Sequence, residues 1–199
     1  MKAARRGGAL LIASAFLLTA CGGPPTTPEV SIKPWDEIVK DTVAAAQRLG
    51  ASPEQIAALA EGEVTFGSYE SAVTKAISCM REAGIDVVND RVTSENGYPE
   101  ISYSYAASSP GRTEAETIPI SDLCITTHSM FIESLYRESP QVQEVVDARF
   151  TPFREAALDC LKESGRSVPT DASRAVIEQV NTTLVISGGK DCMQEIGFH

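Results

Sequence analysis

Three observations predict a helix-rich α+β body for this chain: about six to seven short helices with one β-hairpin, stabilised by disulfides. Apolar residues recur at helical spacing between caps and glycine stops over most of residues 35–199. One stretch switches to strict alternation around an Asn-Gly pair. Apart from Cys21 the chain holds four cysteines, Cys79, Cys124, Cys160 and Cys192, an even number that suits cross-linking in an exported protein. With 199 residues the chain suits one folded domain and is too short for a two-lobed solute-binding architecture. Its 17 Lys+Arg against 27 Asp+Glu, a net charge of −10, exclude a nucleic-acid or anionic-lipid surface, which needs a basic face.

Lys2, Arg5 and Arg6 precede Ala9 to Ala20, an apolar run of 12 residues. A spanning helix needs roughly 20 apolar residues to cross about 30 Å of hydrocarbon, so residues 1–20 read as an export leader. The run ends Leu18-Thr19-Ala20-Cys21. This tetrapeptide resembles the lipobox of bacterial lipoproteins: an aliphatic residue, two small residues and an obligatory cysteine. The resemblance implies diacylglyceryl transfer to the Cys21 thiol and cleavage before it. It places the protein on the extracytoplasmic face of the cell membrane, held by its lipid anchor. Loss of Lys2, Arg5 and Arg6 with the leader leaves 14 basic against 27 acidic residues, a net charge of −13. Two acyl chains at about 0.8 kcal/mol per buried methylene suffice for stable attachment without a basic patch. Residues 21–34 then form a tether whose four prolines favour extended polyproline II.

Trp35, Val39, Val43 and Ala46 make the first helical stripe, with Asp36 and Glu37 in the first turn and Gly50 as the stop. Ser52-Pro53-Glu54-Gln55 reads as an N-cap, a first-turn proline and a capping-box glutamine. Thr65 or Ser68 caps a third helix carrying Val73, Ile77 and Met80 and ending at Gly84. A two-residue turn at Asn96-Gly97 would set Val92 opposite Ile101 and Val88 opposite Tyr105, with the apolar side chains on one face. Two strands alone are barely stable, so this face must pack on helices. Residues 106–117 read as a polar loop, and Ser121 as the cap of a helix running through Leu123, Cys124 and either Met130 or Phe131 to Leu135. Pro140 opens the next helix, Thr151-Pro152 kinks or restarts it, and helices over about 170–180 and 189–196 complete the chain.

The four body cysteines permit three connectivities. Adjacency of consecutive helices favours Cys79–Cys124 with Cys160–Cys192. Three cysteines share the form Cys-Met/Leu-x-Glu-x-Gly, at 79–84, 160–165 and 192–197. In this form the cysteine and its aliphatic neighbour face the core in a last helical turn, and the glycine takes the left-handed position after it. Glu82, Glu163 and Glu195 oppose the helix dipole there, so they are solvated, paired with cations or used in binding. A similar Cys-Met-Arg-Glu-x-Gly helix end occurs in small lipoproteins of high-GC Gram-positive bacteria, a resemblance that carries no activity with it.

The chain carries no nucleophile elbow, zinc-protease, phosphate-loop or dinucleotide motif, and no cofactor is expected. His128 follows Cys124 by four residues, but two further metal ligands have no matching spacing. Asn181-Thr182-Thr183 is a glycosylation sequon, idle in a bacterium. Ile132-Glu133-Ser134 is similar to the Glu-Ser of lytic transglycosylases, whose glutamate is a general acid, although the family's downstream Gly-Leu-Met-Gln stretch is missing. These readings favour a non-catalytic binding or interaction module in the cell envelope. Its partner would be an envelope protein, a cell-wall component or a small ligand. A carboxylate-dependent envelope hydrolase is the alternative.

Overall fold

The computed structural model describes residues 33–108 and 111–198. The leader, the lipobox with Cys21, the tether up to residue 32, and His199 lie outside the described residues.

Helix α1 (Trp35–Leu49) follows Pro34 and ends where Gly50 takes φ +85°. The Trp35 indole donates to the carbonyl of Gly62 at 3.0 Å, which ties the start of α1 to the chain leaving α2 (Pro53–Ala60). Ser52 caps α2 by accepting from the Gln55 amide N–H. Thr65, rather than Ser68, caps α3 (Phe66–Glu82). The Gln55 side chain does not close a capping box; it is buried and turned toward α4 and α5.

Strands β1 (Val87–Thr93) and β2 (Glu100–Tyr105) form the antiparallel hairpin. Val92 stands opposite Ile101 as expected, but Val88 stands opposite Ser104 and Val87 opposite Tyr105. Between Val88 and Arg91 the register shifts, with Asn89 and Asp90 facing Tyr103 alone. This is a β-bulge, and Asn89 adopts a left-handed φ of 60° within it. The extra residue puts Val87 rather than Val88 on the face of Tyr103 and Tyr105, so Val87 is buried and Val88 is 48% exposed; Val92, opposite Ile101, is itself 50% exposed. The turn also differs from the expected two-residue form. Pairing stops at Thr93–Glu100, and a β-turn closes instead with the Gly97 N–H donating to Ser94 O at 2.9 Å. Pro99 has no N–H to extend the ladder. A Cβ at Gly97 would stand 3.1 Å from Val145, so glycine lets the tip lie against the following helices.

Helix α4 (Glu114–His128) begins inside the expected polar loop. Glu116 Oε2 accepts from both the backbone N–H and the hydroxyl of Thr113, a capping box that places the start seven residues before Ser121. Ser121 is instead wholly buried in mid-helix, its hydroxyl donating to Ile118 O at 2.9 Å. Pro119 costs one backbone bond without ending the helix. The single helix expected through Leu135 is two, because the chain breaks at buried Ser129 before α5 (Met130–Glu138). Gln55 bridges that break. Its Nε2 donates to Thr126 O and Thr127 O at 3.0 and 2.8 Å, and its Oε1 accepts from Phe131 N and Ile132 N at 3.0 and 3.4 Å.

Ser139 caps α6 (Pro140–Phe150), and a 3₁₀ turn at Thr151–Phe153 leads into α7 (Arg154–Glu163), the restart expected at Thr151-Pro152. Helix α8 (Arg174–Ile186) begins later than expected, under a Ser173 cap, and runs further. The last helix, α9, is only Cys192–Glu195, capped by Asp191. Buried Arg174 at the start of α8 bonds Gln143, reaches Asp147 at 2.7 Å on α6 and holds Glu178 at 2.5 Å on its own helix.

The buried side chains form two clusters. One gathers α1–α5 and the hairpin around Tyr69, Met80, Leu135 and Tyr136; the other gathers α7–α9 around Phe150, Leu161 and Ile177. Val146 on α6 packs against both. The disulfides are Cys79–Cys124, which joins α3 to α4, and Cys160–Cys192, which joins α7 to α9. Each cluster therefore has its own crosslink, closing loops of 45 and 32 residues.

Loop-closure entropy assigns each crosslink up to about 4 kcal/mol. Excess dithiothreitol is expected to lower the melting temperature by on the order of 10 °C or more, read by circular dichroism. An unchanged midpoint contradicts a stabilising role. Gln55→Ala strands buried amide and carbonyl groups at the α4–α5 break, and urea unfolding should show a loss of about 3 kcal/mol.

Candidate functional site

All four body cysteines are consumed in the two disulfides, so none is a nucleophile or a metal ligand. Each repeated Cys-Met/Leu-x-Glu-x-Gly segment forms the same helix end. Gly84, Gly165 and Gly197 have φ between +75° and +79°. The next residue donates back to the aliphatic neighbour of the cysteine: Ile85 to Met80, Arg166 to Leu161 and Phe198 to Met193, at 2.9 to 3.0 Å. These are Schellman caps, and in two of them the residues at the motif's apolar positions, Met80 with Ile85 and Met193 with Phe198, are all buried. Glu82, Glu163 and Glu195 are all exposed, and Glu163 and Glu195 flank one cation. Lys190 stands 3.1 Å from Glu195 and 3.9 Å from Glu163 and offsets their position at helix ends.

The sequon asparagine is structural. Asn181 is buried, its Oδ1 accepting from Cys192 N at 2.8 Å and its Nδ2 donating to Asp191 at 2.9 Å. His128 is half-buried in a cleft of about 120 Å³ with Ser52, Glu54, Ser71 and Lys75. The backbone N–H of Glu54, and then the Ser52 hydroxyl, hold the Glu54 carboxyl below its usual range.

Glu133, the residue aligned with the general-acid motif, sits in an open recess of about 370 Å³ with Ile125, Met130 and Arg137. The Ser129 hydroxyl donates to Glu133 Oε1 at 2.6 Å, and Arg137 reaches Glu133 Oε2 and Glu100 Oε1 at 3.4 Å each. Both carboxylate oxygens are thus occupied, in a brace between α5 and β2. Two phenols complete that brace. Tyr136 donates to Pro99 O at 2.9 Å, and Tyr69 accepts from Ile101 N at 3.0 Å. Their rings stack with centroids 4.6 Å apart. Burial, reinforced by the neighbouring Tyr69, pushes the Tyr136 phenol up to about 12. A general acid for glycoside cleavage needs a proton held in an apolar cleft beside a second working carboxylate. This arrangement latches the hairpin instead.

A larger recess, about 530 Å³, lies between α7 and the loop that follows it. Leu158 and Val168 give it apolar walls, and Asp159, Lys162, Arg166 and Ser167 supply polar groups. Sequence reading missed it, because its residues come from a helix end and an irregular loop that share no periodicity. Among the described residues no three His, Cys, Asp or Glu side chains converge as metal ligands, and no helix is long and apolar enough to cross a membrane. No protein-family model, curated protein or solved structure matches the chain.

The free phenol ionises near pH 10, so the folded state favours protonated Tyr136. Its contribution to stability is complete below pH 10 and is lost as pH rises toward 12. Urea unfolding across that window should show a steeper loss for the native protein than for Tyr136→Phe; equal slopes contradict the latch.

Proposed function

We propose that this protein is a membrane-anchored cell-envelope lipoprotein, lipidated at Cys21, whose folded body is a non-catalytic binding or interaction module outside the cytoplasm. The observation that carries this reading is the use of every body cysteine in a crosslink. Such pairs persist in oxidising compartments and are rare where thiols are kept reduced. The leader and the lipobox at Leu18-Thr19-Ala20-Cys21 supply the matching address. The acidic surface stands clear of an anionic leaflet, and a proline-bearing tether presents the body to its partner. That partner is an envelope protein, a cell-wall component or a small ligand.

The non-catalytic part of the reading rests on open recesses and on a Glu133 committed to structural bonds. Labelling of producing cells with a palmitate analogue should tag the protein and release it from membranes as Cys21→Ala. Crosslinking in intact cells should trap a reproducible partner. A tag retained by Cys21→Ala contradicts the anchor. Cell-wall turnover by the purified protein, abolished by Glu133→Gln without loss of folding, replaces the module with a hydrolase.

A further inference from the structure

The recess beside α7 holds three charged side chains that have no counter-charge. Among the described residues, Asp159 and Lys162 pair neither with each other nor with any other side chain, although they lie three apart on one helix. The one side-chain bond of Arg166 goes to the Ser187 hydroxyl at 3.0 Å, leaving its charge unmatched. Several other cations of this acidic protein meet carboxylates: Arg81 meets Asp90, Arg137 meets Glu100 and Glu133, and Arg174 meets Asp147 and Glu178.

The recess is also held in shape. Gly165 turns the chain at φ +75°, and the Arg166 N–H donates to Leu161 O at 2.9 Å. At the far end of the loop, Arg154 donates to the carbonyls of Thr170 and Ala172 at 2.8 and 2.5 Å. A preformed cavity of about 530 Å³ falls within the roughly 300–1,000 Å³ range of small-ligand sites. Its lining combines one carboxylate, two cations and the apolar walls of Leu158 and Val168. The small recess around His128 has room for only a few atoms, and the Glu133 recess has its one cation already shared by two carboxylates.

We propose that this recess binds a small zwitterion with an apolar side chain: a short peptide with free termini. Asp159 receives the ammonium, Lys162 and Arg166 receive the carboxylate, and Leu158 and Val168 contact the side chain. The assignment rests on the reading of the body as a binding module and names the ligand class for one of its sites. Charge-assisted hydrogen bonds are the stronger kind, and the planar guanidinium fork of Arg166 suits a carboxylate.

The test is an amide NMR titration of the full-length protein in detergent with the dipeptide alanyl-leucine. Its N-acetylated and C-amidated forms and isobutanol are run in parallel. Saturable shifts are expected at Gly165, Ser167 and Val168, with either blocked form binding about tenfold more weakly. Asp159→Asn should weaken the free dipeptide and leave the N-acetylated form unchanged. Lys162→Gln with Arg166→Gln should also weaken the free dipeptide and leave the C-amidated form unchanged. These side chains are exposed or half-buried, and an unchanged spectrum elsewhere verifies the fold of each variant. No saturable shift, or equal shifts with blocked peptides or with isobutanol, overturns the proposal. Palmitate labelling at Cys21 does not involve these residues, so failure here and failure of the anchored-module reading are separately visible.

Discussion

The carboxamide of Gln55 stands where the helical ladder between α4 and α5 is interrupted. At that break the carbonyls of Thr126 and Thr127 and the amides of Phe131 and Ile132 lie outside the helical ladder, and only Thr127 O has another partner, the Ser52 N–H at 2.8 Å. One primary amide, with two donor hydrogens and two acceptor lone pairs, meets all four groups from a helix more than seventy residues away. Buried in this way it costs nothing in unmatched polarity, and the break becomes a fixed change of direction. The change of direction turns Phe131, Ile132, Leu135 and Tyr136 of α5 into the first core, against α1, α2 and α3. From there Tyr136 and Arg137 hold the start of β2. The hairpin, which two strands could not stabilise alone, depends on this chain of supports.

The second core is organised by covalent and backbone devices. The repeated cysteine segment does two things at once. A helix ends on glycine in the left-handed region, which lets the following residue turn inward, and the cysteine one turn earlier is delivered to the core. In α7 and α9 the two such ends are joined to each other by Cys160–Cys192. In α3 the partner is Cys124 on α4, which lacks the repeated pattern. The shared signature thus describes a way of finishing a helix; it does not specify a partner. Helix α6 then couples the two cores through Val146 and through the buried Arg174, whose charge is met by Asp147 and Glu178.

Within an acidic surface, the placement of cations separates structure from recognition. Arg81, Arg137 and Arg174 sit opposite carboxylates, where their charge is offset, while Arg154 pins its loop through carbonyls. The α7 recess is lined by side chains of both signs, Asp159, Lys162 and Arg166. A recess lined by charges of opposite sign favours a guest that carries both.

The sequence by itself determined the helix-rich α+β class, the hairpin and the favoured cysteine pairing. These rest on local signals: caps, glycine stops, alternation and the adjacency of consecutive helices. It also contained one signal that was passed over, the Thr113-x-x-Glu116 box that starts α4, hidden by the nearer Pro119 and Ser121. Tertiary structure alone decided three things. The bulge at Asn89 and Asp90 put Val87 rather than Val88 into the core, with Arg81 meeting Asp90 beside it. Gln55 took up distant backbone groups instead of its own helix cap, since the break at Ser129 offers it four bonds in place of one. The α7 recess arose from a loop pinned at both ends. Each outcome depends on groups far apart in the chain, whose meeting no local pattern encodes.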